Sequence, residues 1–381
     1  MIQRNKVCKS FFFWRSFFVL AKRLPLEKSF ETLYNLVKQK FYFSKFTGDK
    51  MKKLTIKEIA KMAGVSVTAV SFVLNEKPGV SEETRKKVQA IIEETGFKPS
   101  LNSKRLVLNR SFNISLIVNP YSSPFEDLFY FEIMNGILSQ GTKHGYNIVI
   151  NKIRKGELPD SVYSGDADGM VFMQDITPAM KKKALATGIP FVVVDAHDAD
   201  PSLISVSADY TKAAYMATNY LVENGHRNIA LLASNIIPDF YKQTLQGFAN
   251  ALLENSIAVL PEFIEQTAYN EESAYFAAKE LLSRDNPPTA ILCAMDSFAI
   301  GAMKCIKEMK LSVPDDVSLI GIDDILLARY IEPSLTTIKI DKTEMGVAAM
   351  DLLRRQIAGR PVKSYSIPMQ LIVRDSVKKR G

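Results

Sequence analysis

The sequence predicts a small all-helical module joined to a much larger α/β region of parallel sheets. Three observations carry that prediction. Residues 55–75, TIKEIAKMAGVSVTAVSFVLN, read as two short helices joined by a glycine turn, a helix-turn-helix. From Ile114 onward the runs ISLIV, YNIVI, GMVFM, PFVVVD, IALLA, TAILCAM and VSLIGID alternate with helical stretches. These runs are rich in Val, Ile and Leu without polar alternation, as in strands of a doubly wound sheet covered on both faces. Charge divides at the same place: residues 51–110 carry 12 Lys and Arg against 6 Asp and Glu, whereas 111–381 carry 26 against 32. A basic small module on an acidic large one points to a nucleic-acid end and a regulatory end.

Each helix of the small module has its own start and stop signals. Thr55 caps the first, and Glu58, three residues on, can reach back to the cap's backbone donor, forming a capping box. Ile56, Ile59, Ala60 and Ala63 share one face of that helix. Gly64 ends it, and Ser66 caps a second helix whose Val70, Val73 and Leu74 turn inward while Val67, Thr68, Ser71 and Phe72 stay outward. Ser81 with Glu82 and Glu83 opens a third helix, in which Val88, Ile91 and Ile92 recur at helical spacing until Gly96 and Pro99 stop it.

The segments GVSVTAVSFVLN and GVSEETRKKVQAIIEETGFKPS resemble the DNA-binding headpiece of the LacI/GalR family of bacterial transcription regulators, and the likeness runs from Lys53 to the C-terminus. The resemblance implies that the second helix lies in the major groove of a duplex, with Val67, Thr68 and Phe72 facing bases. Thr55, Ser66, Ser71 and Asn75 are then expected to hold the sugar-phosphate chain. Two of the three base-facing residues are apolar, so contact with thymine methyl groups replaces bidentate hydrogen bonding. For Phe72 the competing reading is packing against the third helix. The next segment, PSLNSKRLVLNR, has the place of the family's hinge: Asn102 can cap a helix too short to be stable alone in water. Leu106 stands where relatives wedge a leucine into the minor groove, preceded by Ser103 and Lys104 in place of the usual Ala-Arg pair. The alternative for this stretch is a plain basic linker.

About 270 residues exceed one comfortable core, so two α/β lobes are expected. The resemblance agrees, since the family's regulatory part is similar to the two-lobed sugar-binding proteins of the periplasm. Ligands of such sheets sit beyond the carboxyl ends of strands, here in the cleft between lobes. Asn119 ends the first run, and Phe129 and Tyr130 are expected in the following loop, where relatives contact effector. Asp195 ends PFVVVD and Asp296 ends TAILCAM, the latter matching the family's acidic residue; Tyr269 falls where relatives stack an aromatic ring on the ligand. Carboxylates and aromatic faces suit a polyhydroxylated ring, although core packing or helix capping competes for each residue. Two positions depart from the family pattern: its effector-binding Arg is Thr244, and the Asn of its VxxDN segment is Tyr210. That pairing looks like the catabolite-control branch, whose co-regulator is a phosphorylated carrier protein. The stretch 151–168 is also short, which predicts a trimmed helix in the first lobe.

An enzyme is disfavoured by the lack of a phosphate-binding glycine loop followed by Lys, and His144, His197 and His226 lie apart without metal spacing. His226 reads as the end of a helix, with its charge near the helix C-terminus. Asp323 and Asp324 read as lobe and subunit contacts rather than an acidic dyad. The headpiece and hinge argue against an exported sugar-binding protein. Three Cys, at positions 8, 293 and 305, give no disulfide framework and suit a reducing cytoplasm. Residues 1–50 carry 11 basic and 3 acidic residues and an aromatic block, FFFWRSFFVLA, too short to span a bilayer. They read as a membrane-surface helix, a basic arm or translated sequence upstream of a start at Met51; the last is preferred because MKKLTIKEIA begins where relatives begin. The expected organisation is therefore an extension at 1–50, a helix-turn-helix domain at 53–100, a hinge helix at 101–110 and a two-lobed domain at 112–381. The chain ends soon after LIVRDSVKK, without the tetramer-forming helix of the lactose repressor. That implies a homodimer on a pseudo-palindromic operator. The function expected is a repressor of sugar-utilisation genes with a small-molecule effector and no cofactor or metal.

Overall fold

The computed structural model describes residues 54–74, 77–97, 110–118, 125, 127–153, 156–197 and 200–380. The 1–50 extension, Asn75, the hinge residues Asn102, Ser103, Lys104 and Leu106, and Asn119 lie outside the described residues. The chain divides into two compact units, 1–103 and 104–381. In the first, α1 (Ile56–Ala63), α2 (Val67–Leu74) and α3 (Glu82–Thr95) enclose a small core of Ile59, Ala60, Ala63, Val70, Val73, Val88 and Phe97. Each fully buried aliphatic side chain there contributes roughly 1.5–3 kcal/mol.

The second unit begins with an alternation of strands and helices: β1 (Asn113–Val118), α4 (Leu128–Lys143), β2 (Asn147–Lys152), α5 (Asp160–Tyr163), β3 (Gly169–Met173), α6 (Pro178–Ala186), β4 (Phe191–Val194) and β5 (Ser205–Ser207). Successive side chains alternate between the two faces of a strand. Thus Leu116, Val171 and Val192 meet Ile133 and Ile137 of α4, while Ile117, Phe172 and Val193 meet Met180 and Ala184 of α6. This is why the runs carry no polar alternation. β2 is the exception, because it closes the sheet edge and leaves Val149 and Ile150 exposed. The trimmed helix predicted between β2 and β3 is α5, a single turn.

The chain then crosses to the second lobe: α7 (Tyr210–Glu223), β6 (Ile229–Ser234), α8 (Pro238–Glu254), β7 (Ile264–Thr267), α9 (Glu271–Leu282), β8 (Ala290–Cys293), α10 (Asp296–Glu308), β9 (Ser318–Asp323) and β10 (Thr336–Ile340). It returns for α11 (Lys342–Ile357) and β11 (Tyr365–Ser366), and crosses once more to β12 (Met369–Ile372). The two six-stranded sheets run β11-β5-β4-β3-β1-β2 and β12-β10-β9-β8-β6-β7, all parallel except the β10–β12 pair. Three crossings between lobes result, and α11 packs on α4 so closely that a methyl on Gly136 would lie 2.2 Å from the Thr343 carbonyl. His226 does follow a helix, yet it is fully buried 2.9 Å from Thr289 Oγ1, and burial lowers its pKa, so it carries no helix-end charge at neutral pH.

Candidate functional site

The headpiece shows how local chemistry exposes a recognition surface. Thr55 Oγ1 accepts from the Glu58 amide over 3.3 Å, and the Glu58 carboxylate accepts from the Thr55 amide over 2.7 Å, so the capping box is complete. Gly64 takes φ 64°, and Ser66 Oγ accepts from the Ala69 amide over 3.1 Å to start α2. Val70 and Val73 fill the core, which turns Val67 and Thr68 to solvent at the first turn of α2; Val67 is 41% exposed. Ser71 and Phe72 are half-buried. The Phe72 ring lies over Gly79 in the turn before α3, where an added methyl would come within 3.0 Å of it. Phe72 therefore supports that turn with part of its ring.

In the second unit the sequence-predicted residues fall at the carboxyl ends of strands. Phe129 and Tyr130 are not in a loop: they form the first turn of α4, whose cap, Asp127, accepts from the Phe129 amide over 2.9 Å. Burial at this cap raises the Asp127 carboxyl to about 6 despite the backbone hydrogen bonds. Asp195 follows β4 with φ 60° and receives two phenols, from Tyr130 on Oδ2 and Tyr210 on Oδ1, both at 2.6 Å. Burial raises both phenols far above their ordinary value, and the adjacent Asp195 carboxylate adds to it, so both stay protonated donors.

His197 completes the cluster. Its Nδ1 lies 2.8 Å from Asp175 Oδ2 and its Nε2 3.6 Å from Asp195 Oδ1. Burial pulls the imidazole pKa down, but the carboxylates of Asp195, Asp175 and Asp239 together outweigh it and hold it above the usual value. From the other lobe, Phe240 of α8 meets the rings of His197 and Tyr210 at 5.4 and 4.8 Å, and Gln243 donates to the His197 carbonyl over 2.6 Å. Phe129, Asp195, His197, Tyr210, Ile237, Phe240, Tyr269, Met295 and Asp323 surround a cavity of about 10 Å³. That is room for about one water, against roughly 300 Å³ or more for a small-molecule site, so a sugar-sized ligand requires the lobes to part.

Asp296 sits apart from its sequence-predicted neighbours. It is fully buried at the start of α10, with Oδ1 accepting from Thr337 Oγ1 over 2.6 Å and Oδ2 from the Ile325 amide over 2.9 Å. The cavity wall at this end is Asp323 and Met295 instead. Thr244 is buried and bonds back to the Phe240 carbonyl of its own helix over 2.9 Å. Sequence reasoning missed His197 and Asp323 as wall residues. The available signal for His197 was its place three residues beyond a strand end; for Tyr210 it was the departure from the family's Asn.

Comparisons with known proteins agree with this architecture. Residues 55–100 match the family model for bacterial regulatory proteins of the lacI family, and 218–377 match a periplasmic binding protein-like domain. The HTH-type transcriptional repressor PurR of Histophilus somni strain 2336 is 31% identical over 334 residues, covering 85% of this chain and 99% of its own. A probable HTH-type transcriptional repressor, ExuR of Bacillus subtilis, is 32% identical over 330 residues, covering 86% of this chain and 99% of its own. Among solved structures, the lac repressor dimer bound to operator and the anti-inducer ONPF superposes with a TM-score of 0.74 at 25% identity, covering 86% of this chain and 100% of that one. Helix-turn-helix headpiece, two-lobed α/β unit and full-length relatives converge on one assignment: the chain belongs to the LacI family of bacterial transcription regulators.

Proposed function

We propose that this DNA-binding transcriptional regulator with its effector-binding domain is a cytoplasmic homodimer that represses sugar-utilisation genes from a pseudo-palindromic operator, and that a small polyhydroxylated effector in the interlobe cavity controls it. The observation that carries this reading is the cavity itself: carboxylates and aromatic rings from both lobes converge at the carboxyl ends of β4, β8 and β9. The resemblance of the headpiece supports Val67, Thr68 and the free edge of Phe72 at base edges, with Thr55, Ser66, Ser71 and Asn75 on the sugar-phosphate chain. Lys104 and Leu106 then enter the minor groove. Phe129, Tyr130, Asp195 and Tyr269 surround the effector, with Asp296 bracing the cavity floor through Thr337 and Ile325. An effector that enters must separate Tyr210 and Gln243 from the first lobe, and that movement changes the spacing of the two hinges in the dimer.

The test pairs selection of the operator from random DNA with a thermal-shift panel of sugars and purines. A palindromic consensus whose affinity changes with one stabilising compound supports the reading. Ligand binding with no selected DNA sequence overturns it. Replacing Val67 with Gln, and repeating the selection, is expected to move one base preference in each half-site from thymine to adenine, with discrimination of roughly 1–3 kcal/mol.

A further inference from the structure

The chain enters the first lobe at Ser111 and Phe112, immediately ahead of β1, and both main-chain donors there end on one side chain. The Ser111 amide donates to Asp168 Oδ1 over 2.6 Å, the Ser111 hydroxyl to the same oxygen over 2.8 Å, and the Phe112 amide to Oδ2 over 3.0 Å. The Asp168 amide in turn donates to the Asn113 carbonyl over 2.8 Å, so side chain and main chain grip the junction together. Hydrogen bonds from N–H to a carboxylate are the stronger kind.

Phe112 is itself strained. Its φ is 55°, in the left-handed region that a bulky side chain rarely adopts. Such a conformation persists where the surroundings over-determine it, and these do. The Phe112 amide is held by Asp168, its carbonyl accepts from the Asn147 amide over 2.8 Å, and its ring lies 6.3 Å from that of Tyr146. The main chain is therefore bent at a fixed angle at the point where residues 101–110 join the lobe.

The clamp also has a rigid backing. Asp168 leads into β3 at Gly169, and α11 lies so close to it that an added methyl would come within 2.9 Å of Leu353 and 3.1 Å of Ile357. At its other end α11 carries Lys342, bonded to the Asp323 and Asp324 carbonyls of the second lobe. The 16 residues of α11 span about 24 Å, and contacts packed this closely pass on a displacement instead of absorbing it.

We propose that Asp168 is the positioning residue of the hinge: it fixes the direction in which residues 101–110 leave the first lobe, and with it the separation at which two hinges of a dimer meet an operator. The inference rests on the hinge reading of 101–110. Asp168 acts through Ser111 and Phe112, so its effect is on geometry and not on any one base.

The experiment binds the full chain to its selected palindrome and to the same duplex with one or two base pairs inserted at the centre, each of which separates the half-sites by roughly 3.4 Å and turns them by about 35°. The parent is expected to favour one spacing by about tenfold or more, and Asp168→Ala to cut that preference to about twofold. Amide hydrogen exchange at Ser111 and Phe112 should quicken in the same variant, while Asp168→Asn, which keeps an acceptor oxygen for Ser111, should retain most of the preference. A lower melting temperature with the spacing preference intact makes Asp168 a brace of the lobe alone and overturns the inference, as does equal exchange of the two amides in parent and variant. Two glycines inserted between Arg110 and Ser111 leave Asp168 and the core in place, and decide the matter where Asp168→Ala does not fold: loss of the preference supports the inference and its survival overturns it. A parent that binds every spacing alike has a separate meaning, because it overturns the hinge reading and the inference with it.

Discussion

The hydroxyl of Tyr210 donates to Asp195 Oδ1 over 2.6 Å, and this bond ties the first helix of one lobe to the end of a strand in the other. Asp195 is held on its remaining oxygen by Tyr130 of its own lobe, so the carboxylate is fixed before Tyr210 meets it. With Gln243 donating to the His197 carbonyl, Tyr210 forms the polar part of the closed cleft.

Tyr210→Phe keeps the ring contact with Phe240 and removes only the bond to Asp195. A hydrogen bond to a charged group contributes roughly 1.5–3 kcal/mol, so the melting temperature is expected to fall by several degrees. The radius of gyration in solution scattering should rise as the lobes part more often. An unchanged melting curve and scattering profile would show that Tyr210 does not hold the cleft.

Much of this architecture was legible because the strands announce themselves. Apolar runs such as GMVFM and PFVVVD became β3 and β4, since a strand covered by helices on both faces must be apolar at every position. The short strands β5 and β11 carry SVS and YS, too brief and polar to signal anything, and are set by pairing alone. The capping box at Thr55 was readable because its logic is local. Of the cavity wall, Phe129, Asp195 and Tyr269 were legible, but His197, Tyr210 and Asp323 were not, because they are brought together from separate segments by the crossings between lobes. Asp296 shows the opposite difficulty. Its place after β8 was right, but only the fold reveals that Thr337 and the Ile325 amide occupy its carboxylate.

Lys342 is a second point where the lobes are tied. It is 2% exposed at the start of α11, and its ammonium group donates to three carbonyls at the ends of β9 and β10, with Glu132 3.8 Å away. Lys342→Met preserves the length of the side chain and leaves those carbonyls without a donor. A loss of roughly 2–4 kcal/mol in denaturant unfolding is expected. A variant as stable as the parent would mean that water takes over the three bonds.

The buried carboxyl of Asp296 makes stability depend on pH. Burial lifts it to about 7, opposed by the bonds from Thr337 and Ile325. Its folded form therefore holds a proton that the unfolded chain releases near pH 4, and stability must fall as pH rises through the interval from about 4 to 7. Asp296→Asn removes that proton linkage. The difference between parent and variant in unfolding free energy, measured at several pH values, should change by up to ~1.4 kcal/mol per pH unit across that window and stay flat above it. A constant difference from pH 4 to 7 would place the Asp296 proton elsewhere.

The segment after β9 exposes large apolar side chains around Arg329: Leu326 and Leu327 are about half exposed, and Tyr330 is 73% exposed. Large apolar side chains grouped on a surface favour a protein contact, and in a two-fold dimer one patch can meet its own copy. Tyr330→Glu places two like charges in that contact and leaves the core of the lobe untouched. Sedimentation is expected to show monomer at concentrations where the parent is dimeric. Loss of the second headpiece then removes the gain from simultaneous binding to both half-sites, and operator affinity should fall by roughly 10²–10⁴ while affinity for a single half-site is unchanged. A variant that stays dimeric and binds the full operator normally would move the subunit contact to another face.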